Sequence, residues 1–506
     1  MTASSDAIIN YRRRPRIPPP LFVRVGDFVA ELIIVGILLG GFLTGGYAQI
    51  PRWMWMVNGG CAFLGTWAVA GLLLGRWQER TMRASLWFMA AFTVVVVWSG
   101  LQLVWYPSGL VTSVSPLWSD LAESMAGIGM ERPEHLPLAV NSERGWRTWS
   151  YLVSAWGLMG SCCLLAARRS CAIHLILIVV LATSFEGLWG LYTYVATGVG
   201  RTYGALFNSN HHAALVALGI PLIFASLVQS QKLVPFLRGK LTSGSNPLLI
   251  LYGIALLVVA GWLTSFSRGS IFIAGIIIGV WLIVEWYGRM RELQNEEIYL
   301  DLRSLASGAA GLLLVGAAGV MILESADVRE RLMGRVESTD ILGDAGRVEY
   351  MRASLAGLLE SPWVGLGLEG VEGVLTWKAD LPMTKAPVRT HSDPVQLAAE
   401  MGIPVTFVLL GLMLPLVRSI LREWTEVQIA HTWSERFLQR AALAGALGCL
   451  VHSFADFHLR IPLTGYVFLI VLALSLNEGC LSIVKRRSGG GRQQPAHPAL
   501  GDFEEP

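Results

Sequence analysis

Apolar residues in this chain gather into stretches of roughly 20, the length a helix needs to cross a bilayer core. Twelve such runs lie near 28–48, 53–75, 84–105, 148–167, 171–195, 210–230, 247–265, 270–288, 304–323, 402–420, 437–454 and 461–480. Tight pairs such as 247–265 and 270–288 read as helical hairpins. The pattern predicts an all-α polytopic membrane protein with about 12 transmembrane helices. Its organisation reads as a tail over 1–27, nine spans over 28–323, a long loop over 324–401, three spans over 402–480 and a tail over 481–506.

Composition agrees. Of 506 residues 53% are hydrophobic and only 15% charged, against about a quarter charged in soluble domains. That excludes a soluble enzyme, a secreted module and a disordered chain. A net charge of +3 gives no nucleic-acid footprint. Cys61, Cys162, Cys163, Cys171, Cys449 and Cys480 all sit in or at the ends of apolar segments, as packing residues do. The first apolar run is too long for a cleavable signal.

Charge sets the orientation. With the N-terminus in the cytoplasm, the inside segments hold 24 Lys and Arg and the short outside loops only four: Arg52, Arg201, Arg268 and Arg460. The positive-inside bias then puts both termini in the cytoplasm. Two long loops, 106–147 and 324–401, face outward, and the second is net acidic. Long loops in compact proteins are usually functional. Within the second, Val348, Met351, Leu355, Leu358 and Leu359 predict an amphipathic helix near 346–360, either packed on the bundle or lying in the interface.

The outer segments carry the candidate chemistry. Arg201 and Arg268 stand against the charge bias, beside Ser, Gly or Asn at helix boundaries where free N–H groups also point outward. Two guanidiniums there suit a diphosphate. Six histidines fall on this side: His135, His211, His212, His391, His452 and His458. His391, in RTHSDPVQLAAE, precedes a helix that is capped by Asp393 and continues into the tenth run, and it is the best placed general base. The competing reading is a structural ring. The histidines are scattered over separate loops without an HExxH spacing, which argues against a metal. Glu186 lies within the fifth run, where a carboxylate needs a partner: Arg201 or Arg268 in a structural pair, or a role in proton transfer.

These segments resemble the O-antigen ligase and polymerase superfamily, the Wzy-like and WaaL-like bacterial membrane glycosyltransferases. The resemblance rests on Arg201-Thr-Tyr-Gly204 through Asn208, Asn210 and His211; on Ser265-Phe-Ser267-Arg268-Gly269; and on Arg347 followed by Ser361-Pro362-Trp363-Val364-Gly365-Leu366-Gly367. It continues in His391-Ser-Asp393 with Gln396, Glu400 and Gly402, and in His452, Asp456-Phe457, His458 and Pro462. The Asn-His pair is similar to exopolysaccharide-polymerase-type members. The resemblance implies a multi-pass protein of the bacterial inner membrane that moves a glycan from undecaprenyl diphosphate to an acceptor hydroxyl on the outer face, without a metal or cofactor. Arg201 and Arg268 would then hold the diphosphate and His391 would help activate the acceptor, a glycan or lipid-glycan. Implied partners are membrane lipids and other polysaccharide-assembly proteins. Polymerase and ligase both stay open, and a transporter or lipid-linked glycan flippase is the alternative from another class.

Reporter fusions at residues 120 and 380 are expected to report the outer side; a cytoplasmic signal at either contradicts the topology.

Overall fold

The computed structural model describes residues 20–46, 51–78, 82–198, 201–229, 246–296, 345–378, 389–426 and 436–477. Helices α1 (Leu21–Leu43), α2 (Pro51–Leu73) and α3 (Arg83–Gln102) open the bundle. The first long loop holds β1 (Trp105–Pro107), α4 (Ser108–Val114), α5 (Pro116–Gly127) and β2 (His135–Pro137). Helices α6 (Ser142–Ala166), α7 (Arg169–Thr197), α8 (Ser209–Val228), α9 (Asn246–Leu263) and α10 (Arg268–Glu296) follow. The second long loop carries α11 (Ala345–Glu360), α12 (Gly370–Lys378) and α13 (Asp393–Met401), and the chain closes with α14 (Ile403–Glu426), α15 (Phe437–His452) and α16 (Pro462–Leu476).

Eleven of the twelve predicted runs coincide with helices. The ninth, 304–323, lies outside the described residues, as do 1–19 and 478–506. Among the described residues α3, α6, α7 and α8 are long and apolar enough to cross a membrane, and α2, α9, α10, α14, α15 and α16 contain shorter apolar helices. Helix α1 begins at Leu21, before the run read from 28. Arg24 and Asp27 interrupt the apolar pattern there, yet Asp27 is buried and paired, so the helix absorbs it.

Small residues let the helices close on one another. A Cβ on Gly157 of α6 would lie 2.7 Å from the Cys61 carbonyl of α2, and one on Gly187 of α7 would lie 2.8 Å from Val258 of α9. Such backbone approach is the usual packing device of membrane helices, where no aqueous hydrophobic effect drives association. The cysteines Cys61, Cys162, Cys163, Cys171 and Cys449 are free and buried, as packing residues are.

The two ends of the bundle separate as the charge pattern separates them. At one end Asp27 of α1 takes Arg76 at 3.1 Å, together with Arg168 and the Trp67 indole, and Glu285 of α10 pairs with Arg440 of α15. All these charges belong to segments assigned to one side. At the other end the described parts of the two long loops form a cap. Leu117 of α5, Ala353 and Leu358 of α11, Leu366, Val371, Val374 and Leu375 around α12, and Ala399 of α13 share one apolar core. Helix α11 thus packs within the cap, while its Leu355 and Leu359 stay exposed. The cap also holds the short antiparallel pair β1–β2, with Tyr106 opposite Leu136, in an otherwise helical structure.

The HSD segment and the tenth run are two helices, not the single continuous one expected. Gly402 (φ +82°) breaks them, and a Cβ there would lie 2.8 Å from the Gly365 nitrogen. The break turns α13 into the cap and lets α14 run along α3, where the Trp98 indole donates to the Met401 carbonyl at 2.9 Å.

Candidate active site

The hairpin between α15 and α16 lies at the centre of the cap end. Its Asp456 is buried, and each carboxylate oxygen is engaged. Oδ2 accepts from the Asn210 side chain at 3.0 Å and Oδ1 from the Phe457 N–H at 2.9 Å. Oδ1 also faces His391 Nδ1 at 3.4 Å. Burial pushes this carboxyl up, but the His391 contact, the charge of His211 and the Phe457 N–H outweigh it and hold the group below the usual carboxylate range.

His391 sits in left-handed backbone (φ +56°), a strained conformation for a residue with a Cβ. Its ring stacks on Tyr350 of α11 at 6.1 Å and meets the edge of Phe457 at 5.0 Å. The side chain is 28% exposed, so the ring is walled on several sides yet open on one. The segment is tied down on both flanks. Thr390 donates its N–H to Gln396 and shares a hydroxyl contact with Ser354 at 3.0 Å. Asp393 donates its N–H to the Ser453 carbonyl at 2.9 Å and accepts from the Leu459 N–H at 3.1 Å. Asp393 does not cap the helix: Ser392 holds the N-cap position, without a side-chain capping bond, while Asp393 is the first residue of α13 and its carboxylate is turned to the last hairpin. Burial pushes the Asp393 carboxyl up to about 7, against the pull of Arg460 and the Leu459 N–H.

The start of α8 borders the same place. Asn208 is its N-cap and accepts from the N–H of Asn210 at 2.8 Å and of His211 at 3.4 Å. That frees the Asn210 side chain to reach Asp456. His211 is buried, and its ring meets the other side of the site through Phe457 at 5.0 Å. His458 is fully buried with Nε2 against the Cys449 carbonyl at 3.1 Å, and its ring lies 4.4 Å from that of His452. Burial lowers its tendency to protonate.

The loops bearing Arg201 and Arg268 are joined. The Thr202 N–H donates to the Thr264 carbonyl at 3.1 Å, and the two hydroxyls lie 2.8 Å apart. Arg201 is half-buried and Arg268 opens α10. The Arg268 and Arg347 side chains lie outside the described residues. A Cβ on the next residue, Gly269, would stand 3.1 Å from His452 Nε2, so this turn abuts the last hairpin. Arg347 lies three residues before Tyr350 in α11.

Among the described side chains Glu186 meets His212 and not Arg201. It is fully buried and accepts from the Ala205 N–H at 3.2 Å while meeting His212 Nδ1 at 2.8 Å. His212 in turn reaches the Gly261 carbonyl at 3.2 Å. Gly204 (φ +59°) makes room, because a Cβ there would collide with the Glu186 carboxylate. The pair ties α7, α8 and α9 together. Sequence reasoning missed its partner because a His-His pair gives no sign of which ring turns inward.

Arg460 is the larger surprise. Read as one of four outward arginines, it is only 15% exposed and meets Glu400 at 2.8 Å, Glu369 at 3.3 Å and Asp393 at 3.6 Å. Glu400 also accepts from Gln396 at 2.9 Å, and Glu369 from Arg389 at 2.5 Å and Thr148 at 2.9 Å. Arg389, two residues before His391, and the acidic excess of the second long loop were the available signals.

Residues 253–410 match the family model described as O-antigen ligase. The match runs from α9 into α14 and contains Arg268, Arg347, His391, Asp393 and Glu400. It supports the O-antigen ligase and polymerase superfamily. No curated protein matches the chain. Together with the apolar bundle, the match supports a bacterial membrane protein of the glycan ligase or polymerase kind, a glycosyltransferase-like enzyme whose substrates are lipid-linked glycans.

The depressed Asp456 carboxyl has a stability consequence. Its folded-state pKa lies below the ordinary value of 3.8, so its contribution is complete above that pH and is lost as pH falls. The gap in thermal stability between wild type and Asp456→Asn is expected to narrow below about pH 4. A gap that is constant with pH contradicts this.

Proposed function

We propose that the protein transfers a glycan from undecaprenyl diphosphate to an acceptor hydroxyl at the outer face of the inner membrane, with His391 as general base. The observation that carries this reading is the His391–Asp456 contact at 3.4 Å, on a hairpin that the Arg268 turn abuts through Gly269 and His452. Asp456 faces Nδ1, which leaves Nε2 as the atom to take a proton. An acidic partner of this kind fixes the tautomer and stabilises the imidazolium as it forms. The acceptor oxygen loses its proton to Nε2 and bonds the anomeric carbon. The bond from that carbon to the diphosphate breaks, and the electron pair leaves with the phosphate oxygen. Negative charge thus grows on the diphosphate, where Arg201 and Arg268 stabilise the transition state more than the ground state. Asn208, Asn210 and His211 shape the helix end beside them.

Polymerase and ligase differ only in the acceptor, a growing glycan or a lipid-glycan, and this chemistry serves both. A transporter or flippase needs neither a base nor an acidic partner for it.

Purified protein in detergent, given an undecaprenyl-diphosphate glycan and an acceptor, is expected to release undecaprenyl diphosphate without any gradient. His391→Ala should lower turnover by roughly 10²–10⁴-fold while carrier binding survives. Arg268→Lys should weaken both, because a point charge does not reproduce the planar fork. Absence of transfer by well-folded wild type, or wild-type turnover in His391→Ala, contradicts the reading.

A further inference from the structure

The buried ion network behind the candidate base is larger than a pair of stabilising contacts requires. It brings together three carboxylates, Glu369, Glu400 and Asp393, and two guanidiniums, Arg389 and Arg460. Every carboxylate in it is almost wholly buried. They come from two pieces of the site: Glu369 from the turn before α12, and Asp393 and Glu400 from the two ends of α13. Arg460 belongs to the last hairpin and touches all three.

The wiring links the two halves of the candidate dyad. Asp456 lies four residues before Arg460 on the same hairpin. His391 lies between Arg389, held by Glu369, and Asp393, held by the hairpin. The hairpin and the His391 segment therefore meet through Arg460 as well as through the 3.4 Å contact itself. Two strained positions lie inside this network, His391 at φ +56° and Glu369 at φ +64°. Left-handed backbone at such residues persists only where the surroundings over-determine it.

We propose that Arg460 is a positioning residue for the transfer reaction: it locks the last hairpin to α13 and to the Glu369 turn, and so sets His391 against Asp456. This rests on the reading of His391 as the base. With three carboxylates already around it, Arg460 has no face left for the carrier diphosphate, which separates it from Arg201 and Arg268. A lysine carries the charge but cannot span three carboxylates, since its single ammonium lacks the guanidinium fork.

Three measurements on full-length Arg460→Lys and Glu400→Gln test this. They are turnover, binding of undecaprenyl diphosphate, and the rate at which diethyl pyrocarbonate modifies His391, followed by mass spectrometry. For Arg460→Lys the expected result is unchanged carrier affinity, turnover lower by about 10²-fold, the cost of a misplacement near 1 Å, and faster modification of His391. Glu400→Gln should show the same signature more weakly, and it carries the test if Arg460→Lys does not fold. Wild-type turnover and modification in a folded variant overturns the proposal. Loss of carrier affinity also overturns it, by making Arg460 a diphosphate ligand. Should wild type transfer no glycan, the functional reading fails, and the modification rates still decide whether Arg460 positions His391.

Discussion

A charge taken out of water must be met by another, and the cap end of this bundle is organised by that requirement. Removing one partner of a buried pair costs about 3–5 kcal/mol, and here the carboxylates of Glu369, Asp393, Glu400 and Asp456 are all buried together. Arg460 and Arg389 answer the first three, and Asn210, His391 and a backbone N–H answer the fourth. Because these groups sit on separate segments, satisfying them fixes where the segments lie. The second long loop, the start of α8 and the last hairpin converge for this reason as much as through their shared apolar core.

That arrangement gives the candidate base its setting. A ring at φ +56° stores strain of about 1–3 kcal/mol, which the flanking hydrogen bonds of Thr390 and Asp393 hold in place. Tyr350 and Phe457 wall the ring while one side remains open. The opposite end of the bundle has no such strain among the described residues. Its Asp27 and Glu285 clusters join helix ends, and they fit a scaffold role.

Much of this was legible in the sequence because its physics is local. A run of apolar residues long enough to cross a bilayer forms a helix whatever surrounds it, and so 84–105 and 171–195 appear close to where the pattern puts them. The order of Arg201, Arg268, His391 and Asp456 along the chain likewise marked the segments that meet. What the sequence concealed depends on three-dimensional partners. Arg460 looked like one more outward arginine because its carboxylates lie 60 to 91 positions away. Glu186 needed a partner and found His212, since the glycine at 204 admits the carboxylate to that corner. Gly402 was quoted as a motif residue, but only its close approach to Gly365 shows it as a break. Residue 21 as the start of α1 was hidden by Asp27, whose cost is met by Arg76 after α2 and Arg168 before α7.

The central claim is that His391 and Asp456 act as one unit, and a double-mutant cycle on turnover tests it most directly. His391→Ala, Asp456→Asn and the double variant would be compared in folded protein at equal carrier saturation. A carboxylate that works only through the imidazole has nothing further to lose once the ring is gone. The account therefore expects the double variant to be about as slow as His391→Ala alone. Losses that multiply independently would contradict it.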